Sequence, residues 1–189
     1  PEAGDWLSQH DEAGESFEDY LTADPVVPDE ERRVIYLQPI GEFTAQQRAI
    51  VALTAEYVRL YFNLEVRVLP DKSLTSIPDS AQRRHPSWGM KQLLSTHLLY
   101  EVLAPALPSD AAALLGLTAV DLWPGEGRNF VFGQASLRKR VGVWSIYRNG
   151  DPGASDAEFA LCLLRTIKTA THELGHMFSM QHCTKYECN

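Results

Sequence analysis

A chain of 189 residues, 44% of them hydrophobic, has material for one packed domain with a sizeable core. No run approaches eighteen apolar residues, so no membrane-spanning helix is expected. The formal net charge of −8 is uneven: residues 1–31 hold eleven acids and no Lys or Arg, which leaves 14 acids against 17 bases in the remainder and no basic patch of the kind nucleic acid requires.

The first 31 residues form an acidic, Pro-bearing segment with one local signal. Ser16 to Asp19 has the form of a capping box, and Phe17, Tyr20 and Leu21 fit one face of a short helix. Two readings stand here: a solvated tail, or a segment lying over a cleft or a sheet edge. Arg33 to Gln38 reads as the first strand, stopped by Pro39. Thr44 then precedes a helix over Ala45 to Phe62, with Ile50, Leu53, Tyr57, Leu60 and Tyr61 at helical spacing. A strand over Glu65 to Leu69 follows, and the β-α-β order implies a parallel pair.

Asp71 to Gly89 is rich in breakers and reads as a loop, with a helix over Gln92 to Val102 after it. His85 and His97 have no partner at helical spacing and read as surface or interface histidines, not ligands. Leu114 to Leu122 is nearly all apolar, as a strand buried on both faces should be. Phe130 to Gly133 and Val141 to Tyr147 are further strands, and Gly133 and Gly142 suggest bulges or close backbone approach. Trp144 and Tyr147 are better read as core than as a substrate wall. Arg138 to Arg140 reads as a solvated turn between strands.

The last helix carries the chemistry. From a cap at Ser155, the residues Phe159, Leu163, Ile167, Ala170, Leu174 and Met177 form one apolar stripe, with His172 turned half a circle from Leu163. His172-Glu173-Leu174-Gly175-His176 is an H-E-x-x-H, which puts two imidazoles one turn apart on one face. His182 follows six residues later. Three neutral imidazoles suit a catalytic zinc, which keeps one position open for water, and Glu173 is placed to take that water's proton. A continued helix would set His182 about 15 Å along the axis from His172, so the chain must turn near Ser179. Gly175 is expected to let the helix pack closely on the sheet. Cys162 falls within the helix as a buried thiol, while Cys183 and Cys188 are spaced like metal ligands.

H-E-L-G-H-M-F-S-M-Q-H-C, with Cys188 after four more residues, resembles the archaemetzincin signature. So do, in order, Val34 to Ile40, Leu114 to Trp123, Asn129 to Ala135 and Val141 to Arg148. The resemblance covers about residues 33–188. It implies an α/β fold leaning to α+β, with a mixed, mainly parallel sheet, an antiparallel edge strand near Phe130 and flanking helices that include a long active-site helix. It also implies zinc on His172, His176 and His182, with Glu173 as general base. Three departures stand out. Ser179 replaces a motif glycine that normally turns the chain with positive φ, at a cost of about 1 kcal/mol. A methionine two residues beyond Cys188 and a later C-x-x-C are absent from the sequence, so Cys183 and Cys188 supply half of a second, structural zinc site.

The expectation is an acidic segment over 1–31 and a zinc metallopeptidase-like catalytic domain over 32–189. It would act on a peptide or protein substrate as a monomer, with no nucleic-acid or membrane partner. No charged-then-apolar leader is visible, although the chain opens on Pro, and the cysteine usage favours a reducing, cytoplasmic setting. The rival readings are a zinc amide hydrolase with a non-peptide substrate and an inactive zinc-binding interaction module. An acid beside the ligands favours catalysis, since a purely structural site has no need for one.

Overall fold

Strands β1 (Val34–Ile40) and β5 (Ala111–Thr118) run parallel through the middle of a five-stranded sheet, and every residue of both is buried. Their near-continuous apolar sequence is what burial on two faces demands. The computed structural model describes residues 13–182. β2 (Glu65–Val68) pairs with β1 on one side, β8 (Val141–Ser145) with β5 on the other, both parallel. β7 (Gly133–Ala135) adds antiparallel to β8 and forms the edge.

Helices pack on both faces of this sheet. α1 (Phe17–Thr22) lies near the N-terminus, α2 (Ala45–Phe62) joins β1 to β2, and a helical run begins with α3 (Ser95–His97). That run continues through a π-helical stretch, Leu98–Leu103, and a 3-10 turn, Ala104–Ala106. α4 (Asp156–Met177) packs beside α2. Ile35, Leu37, Leu115, Trp144, Ile50, Val58, Cys162 and Leu174 form the core between the sheet and α2 and α4. Val34, Tyr36, Leu114 and Val143 point the other way, towards Leu93, Leu99 and Leu103. Each large side chain buried there contributes about 1.5–3 kcal/mol. A second sheet of β3 (Gln82–Arg84), β4 (Lys91–Leu94) and β6 (Asp121–Trp123) closes that second side.

Several expectations need correcting. The helix expected from Gln92 starts only at Ser95, because Lys91 to Leu94 is drawn into the small sheet between β3 and β6. Gln92 is buried there, donating to Asp121 Oδ2 at 2.8 Å and to the Asn129 carbonyl at 2.9 Å. The expected loop over 71–89 contains β3 and two 3-10 turns. The apolar run through Leu122 is two strands in two sheets, β5 and β6. The edge strand starts at Gly133, with Val131 making only an isolated bridge to Leu122.

On α2 the buried residues are Ile50, Val51, Thr54 and Val58, while Leu53, Tyr57, Leu60 and Tyr61 face solvent. His85 is buried, stacked on Trp88 with ring centroids 4.0 Å apart, whereas His97 is half-buried. Trp144 is core as expected, but Tyr147 is exposed, at the start of a 3-10 turn. Among the described residues no helix is long and apolar enough to cross a membrane.

Candidate metal centre

α4 is launched by Ser155, whose hydroxyl accepts from the Glu158 N–H, with Asp156 and Glu158 in the first turn, where acids suit the helix dipole. Its end is a Schellman turn. The Met180 N–H reaches the Gly175 carbonyl at 3.0 Å and the Ser179 N–H the His176 carbonyl at 2.9 Å. Ser179 holds φ at +71°, the left-handed conformation that the reach of His182 requires. Serine is tolerated there because its hydroxyl is used twice: it donates to the Leu137 carbonyl at 2.7 Å and accepts from the Val26 N–H at 2.9 Å.

The described part of the acidic segment therefore lies on this turn. Tyr20 donates its hydroxyl to the Phe178 carbonyl at 3.0 Å, and Glu15 accepts from the Gln181 N–H at 2.9 Å. Arg138, at 2.6 and 2.8 Å from the carbonyls of Asp24 and Ala23, holds the far end, so it is no mere solvated turn residue. The capping box of Ser16 and Asp19 forms as the sequence indicates, but Phe17 and Leu21 stay exposed and only Tyr20 engages.

Turning the chain back brings the three histidines together. Ligand nitrogens of His172, His176 and His182 all lie within 4.8 Å of one another, and the Nε2 atoms of His172 and His176 are 3.0 Å apart. Two ligands about 2.0–2.1 Å from one zinc in tetrahedral array stand about 3.3 Å apart, so the donor set fits such an ion. His176 Nδ1 lies 2.7 Å from the Met180 carbonyl. A carbonyl can only accept, so Nδ1 carries the proton and Nε2 is left with its lone pair outward, the arrangement a ligating imidazole needs. The same turn thus orients one histidine and redirects another.

Glu173 is buried, and burial pushes its carboxyl up to about 8. Its Oε2 has no hydrogen-bond partner, an exception that asks for a functional reason. It fits under the edge strand only because Gly133 has no side chain: a Cβ there would overlap Oε1 and stand 2.6 Å from Cδ. Gly142 likewise admits Met177, whose sulfur would be 2.7 Å from a Cβ. Both glycines are the close approaches the sequence suggested. Gly175 is not, since among the described residues a Cβ there would meet only the Met180 sulfur, at an ordinary 3.7 Å.

The fold brings His172, His176 and His182 together and buries Glu173 beneath Gly133 of the edge strand. Cys183 and Cys188, the expected half of a second zinc site, lie outside the described residues. Sequence reasoning missed Met180, whose contribution is a backbone carbonyl, and Tyr20 and Val26, which are remote in the chain. No signal short of the fold could have found them.

No family model matches the chain. The chain is 33% identical over 163 residues to an archaemetzincin of Thermococcus kodakarensis, spanning 82% of this chain and 81% of that one. The crystal structure of an archaemetzincin from Methanopyrus kandleri superposes with a TM-score of 0.63 at 33% identity, over 84% of this chain and 80% of that chain. Fold and site together define a zinc metallopeptidase-like α/β protein with an H-E-x-x-H helix beneath an antiparallel edge strand. Within that class, the chain belongs to the archaemetzincin family. Archaemetzincin-2 of Rattus norvegicus is 30% identical over 219 residues, covering 97% of this chain, which spans 59% of that relative's length.

Proposed function

We propose that the protein is a zinc-dependent peptidase, with His172, His176 and His182 as the residues that hold the metal and Glu173 as the general base. Zinc held there supplies Lewis acidity, polarising a substrate carbonyl and bringing the pKa of water down towards 7. The chain's own part is proton transfer and positioning. Glu173 takes a proton from the attacking water and returns it to the leaving amine. β7 is the edge of the sheet, and its outer N–H and C=O groups can hold an extended peptide as an added strand. Gly133 brings that edge directly over the Glu173 carboxylate.

The observation that carries the reading is the buried carboxylate of Glu173, whose Oε2 has no hydrogen-bond partner, on the same helix turn as two of three converging imidazoles. A structural metal site or a retained interaction module has no use for such a group. Protein purified without chelators should hold one zinc per chain at this site, and so should Glu173→Gln. Quenched peptides should be cleaved by the parent protein and about 10²–10⁴-fold more slowly by Glu173→Gln. Peptides with free and blocked N-termini, beside acylated amines, separate exopeptidase, endopeptidase and non-peptide amidase. A robust peptidase activity surviving Glu173→Gln would sink the mechanism.

A further inference from the structure

A cleft of about 430 Å³ opens beside the histidine face of α4, lined by Phe132, Arg148, Asn149, Arg165, Lys168 and Thr169. Three of these are cations, but they are not equivalent. Arg148 is committed: its Nε and Nη2 donate to the two oxygens of buried Asp121 at 2.7 and 2.8 Å. Its guanidinium also stacks 3.6 Å from the Phe130 ring centroid.

Arg165 and Lys168 are not committed in this way. Arg165 donates to the neutral carbonyl of Asn149 at 3.2 Å. Neither residue belongs to any ion pair found within 4.0 Å among the described residues. Glu158 approaches the same corner at Gly150 as Arg165 but forms no ion pair with it. Both cations are exposed. A concave site with two cations outside any ion pair and one aromatic wall selects an anion attached to a less polar body.

Its place relative to the centre narrows the anion further. Lys168 and Thr169 precede His172 by four and three residues, so they share its helix face. Phe132 directly precedes Gly133, the residue seated over the Glu173 carboxylate. The cleft therefore adjoins the centre through both the helix below and the edge strand above. Successive residues of a peptide added along β7 advance about 3.3 Å each, so a group one or two residues from the reacting carbonyl arrives at the cleft.

We propose that this cleft receives a carboxylate of the peptide substrate, one or two residues from the scissile bond, with Arg165 and Lys168 as its charge partners. The carboxylate belongs either to an acidic side chain or to the peptide's own C-terminus, and the proposal rests on the peptidase reading above.

The test uses zinc-loaded Glu173→Gln, which binds without turnover, after its zinc content has been measured. Four versions of one short peptide are titrated by fluorescence anisotropy: glutamate or glutamine beside the centre, each with a free or an amidated C-terminus. The expected result is about 3- to 10-fold tighter binding of a carboxylate-bearing form, shrinking at high salt. The glutamate and free-acid arms identify the source. Adding Lys168→Gln and Arg165→Gln should abolish the preference while leaving zinc content, melting temperature and affinity for the neutral peptide unchanged. A zinc protein that binds all four peptides equally overturns this proposal alone, as does a preference that survives loss of both cations. A protein with no zinc or no affinity for any of the peptides overturns the peptidase reading and this inference with it.

Discussion

The Val26 N–H donates to the Ser179 hydroxyl at 2.9 Å, which joins the acidic N-terminal segment to the turn that brings His182 to the other two histidines. The same hydroxyl donates to Leu137. The sequence by itself suggests that Ser179→Gly would be neutral or stabilising, because glycine relieves left-handed strain of about 1 kcal/mol. The fold reverses that sign. Glycine leaves the part-buried Val26 N–H and Leu137 carbonyl without the Ser179 hydroxyl, and each hydrogen bond lost there costs about 0.5–1.5 kcal/mol.

Ser179→Gly should therefore destabilise by about 1–2 kcal/mol, and Ser179→Ala, which keeps the strain as well, by about 2–3 kcal/mol. Urea denaturation ranks them. An alanine variant as stable as the glycine variant would show that the strain contributes nothing.

Gly133→Ala tests the seat of Glu173. The added Cβ would overlap the carboxylate, which must move because the strand is paired to β8. Zinc binding should persist, since no histidine is touched, while peptide cleavage falls about 10²-fold or more, as for loss of the general base itself. Metal analysis beside a cleavage assay decides it; full activity in Gly133→Ala would mean that the carboxylate acts from elsewhere.

Gly175→Ala is the counter-example. The position is right-handed helix with room for a methyl group, 3.7 Å from the Met180 sulfur. Alanine should stabilise by up to about 1 kcal/mol, read as a raised midpoint in thermal melting. Destabilisation would mean that the helix end sits closer to its surroundings than these distances allow.

The contrast between the two glycines shows what was legible in the sequence and what was not. Gly133 lay in a strand pattern, where a missing side chain signals close approach; Gly175 lay in a helix, where the same reasoning fails because the crowding neighbour must come from another element. The H-E-x-x-H spacing fixed the ligand face, and the near-continuous apolar runs fixed β1 and β5. Period does not fix phase, however. Ile50, Leu53, Tyr57 and Leu60 repeat at helical spacing, yet the core takes Val51, Thr54 and Val58 along with Ile50. Strands as short as β4 and β7 carry too few residues to show a period at all. Val26 meets Ser179 across 153 positions, a contact no local pattern encodes.

The third ligand can be tested through stability alone. A metal that binds only the folded chain stabilises it by RT ln(1 + [Zn]/Kd), about 2.7 kcal/mol at a hundredfold excess over Kd. In a domain of this size that corresponds to a rise of roughly 5–10 °C in melting temperature. Chelator-stripped protein titrated with zinc should show this rise, and Glu173→Gln should show it in full, because Glu173 is not assigned as a ligand. His182→Ala should lose most of it, since two imidazoles on one helix face remain and the ring that the Ser179 turn delivers is gone. Tyr20→Phe offers a graded case: it removes only the hydrogen bond to the Phe178 carbonyl, so the turn loosens while all three histidines survive. Its zinc-induced rise should be smaller than that of the parent chain but larger than that of His182→Ala. An undiminished rise in His182→Ala would remove His182 from the ligand set and leave its convergence with His172 and His176 without a function.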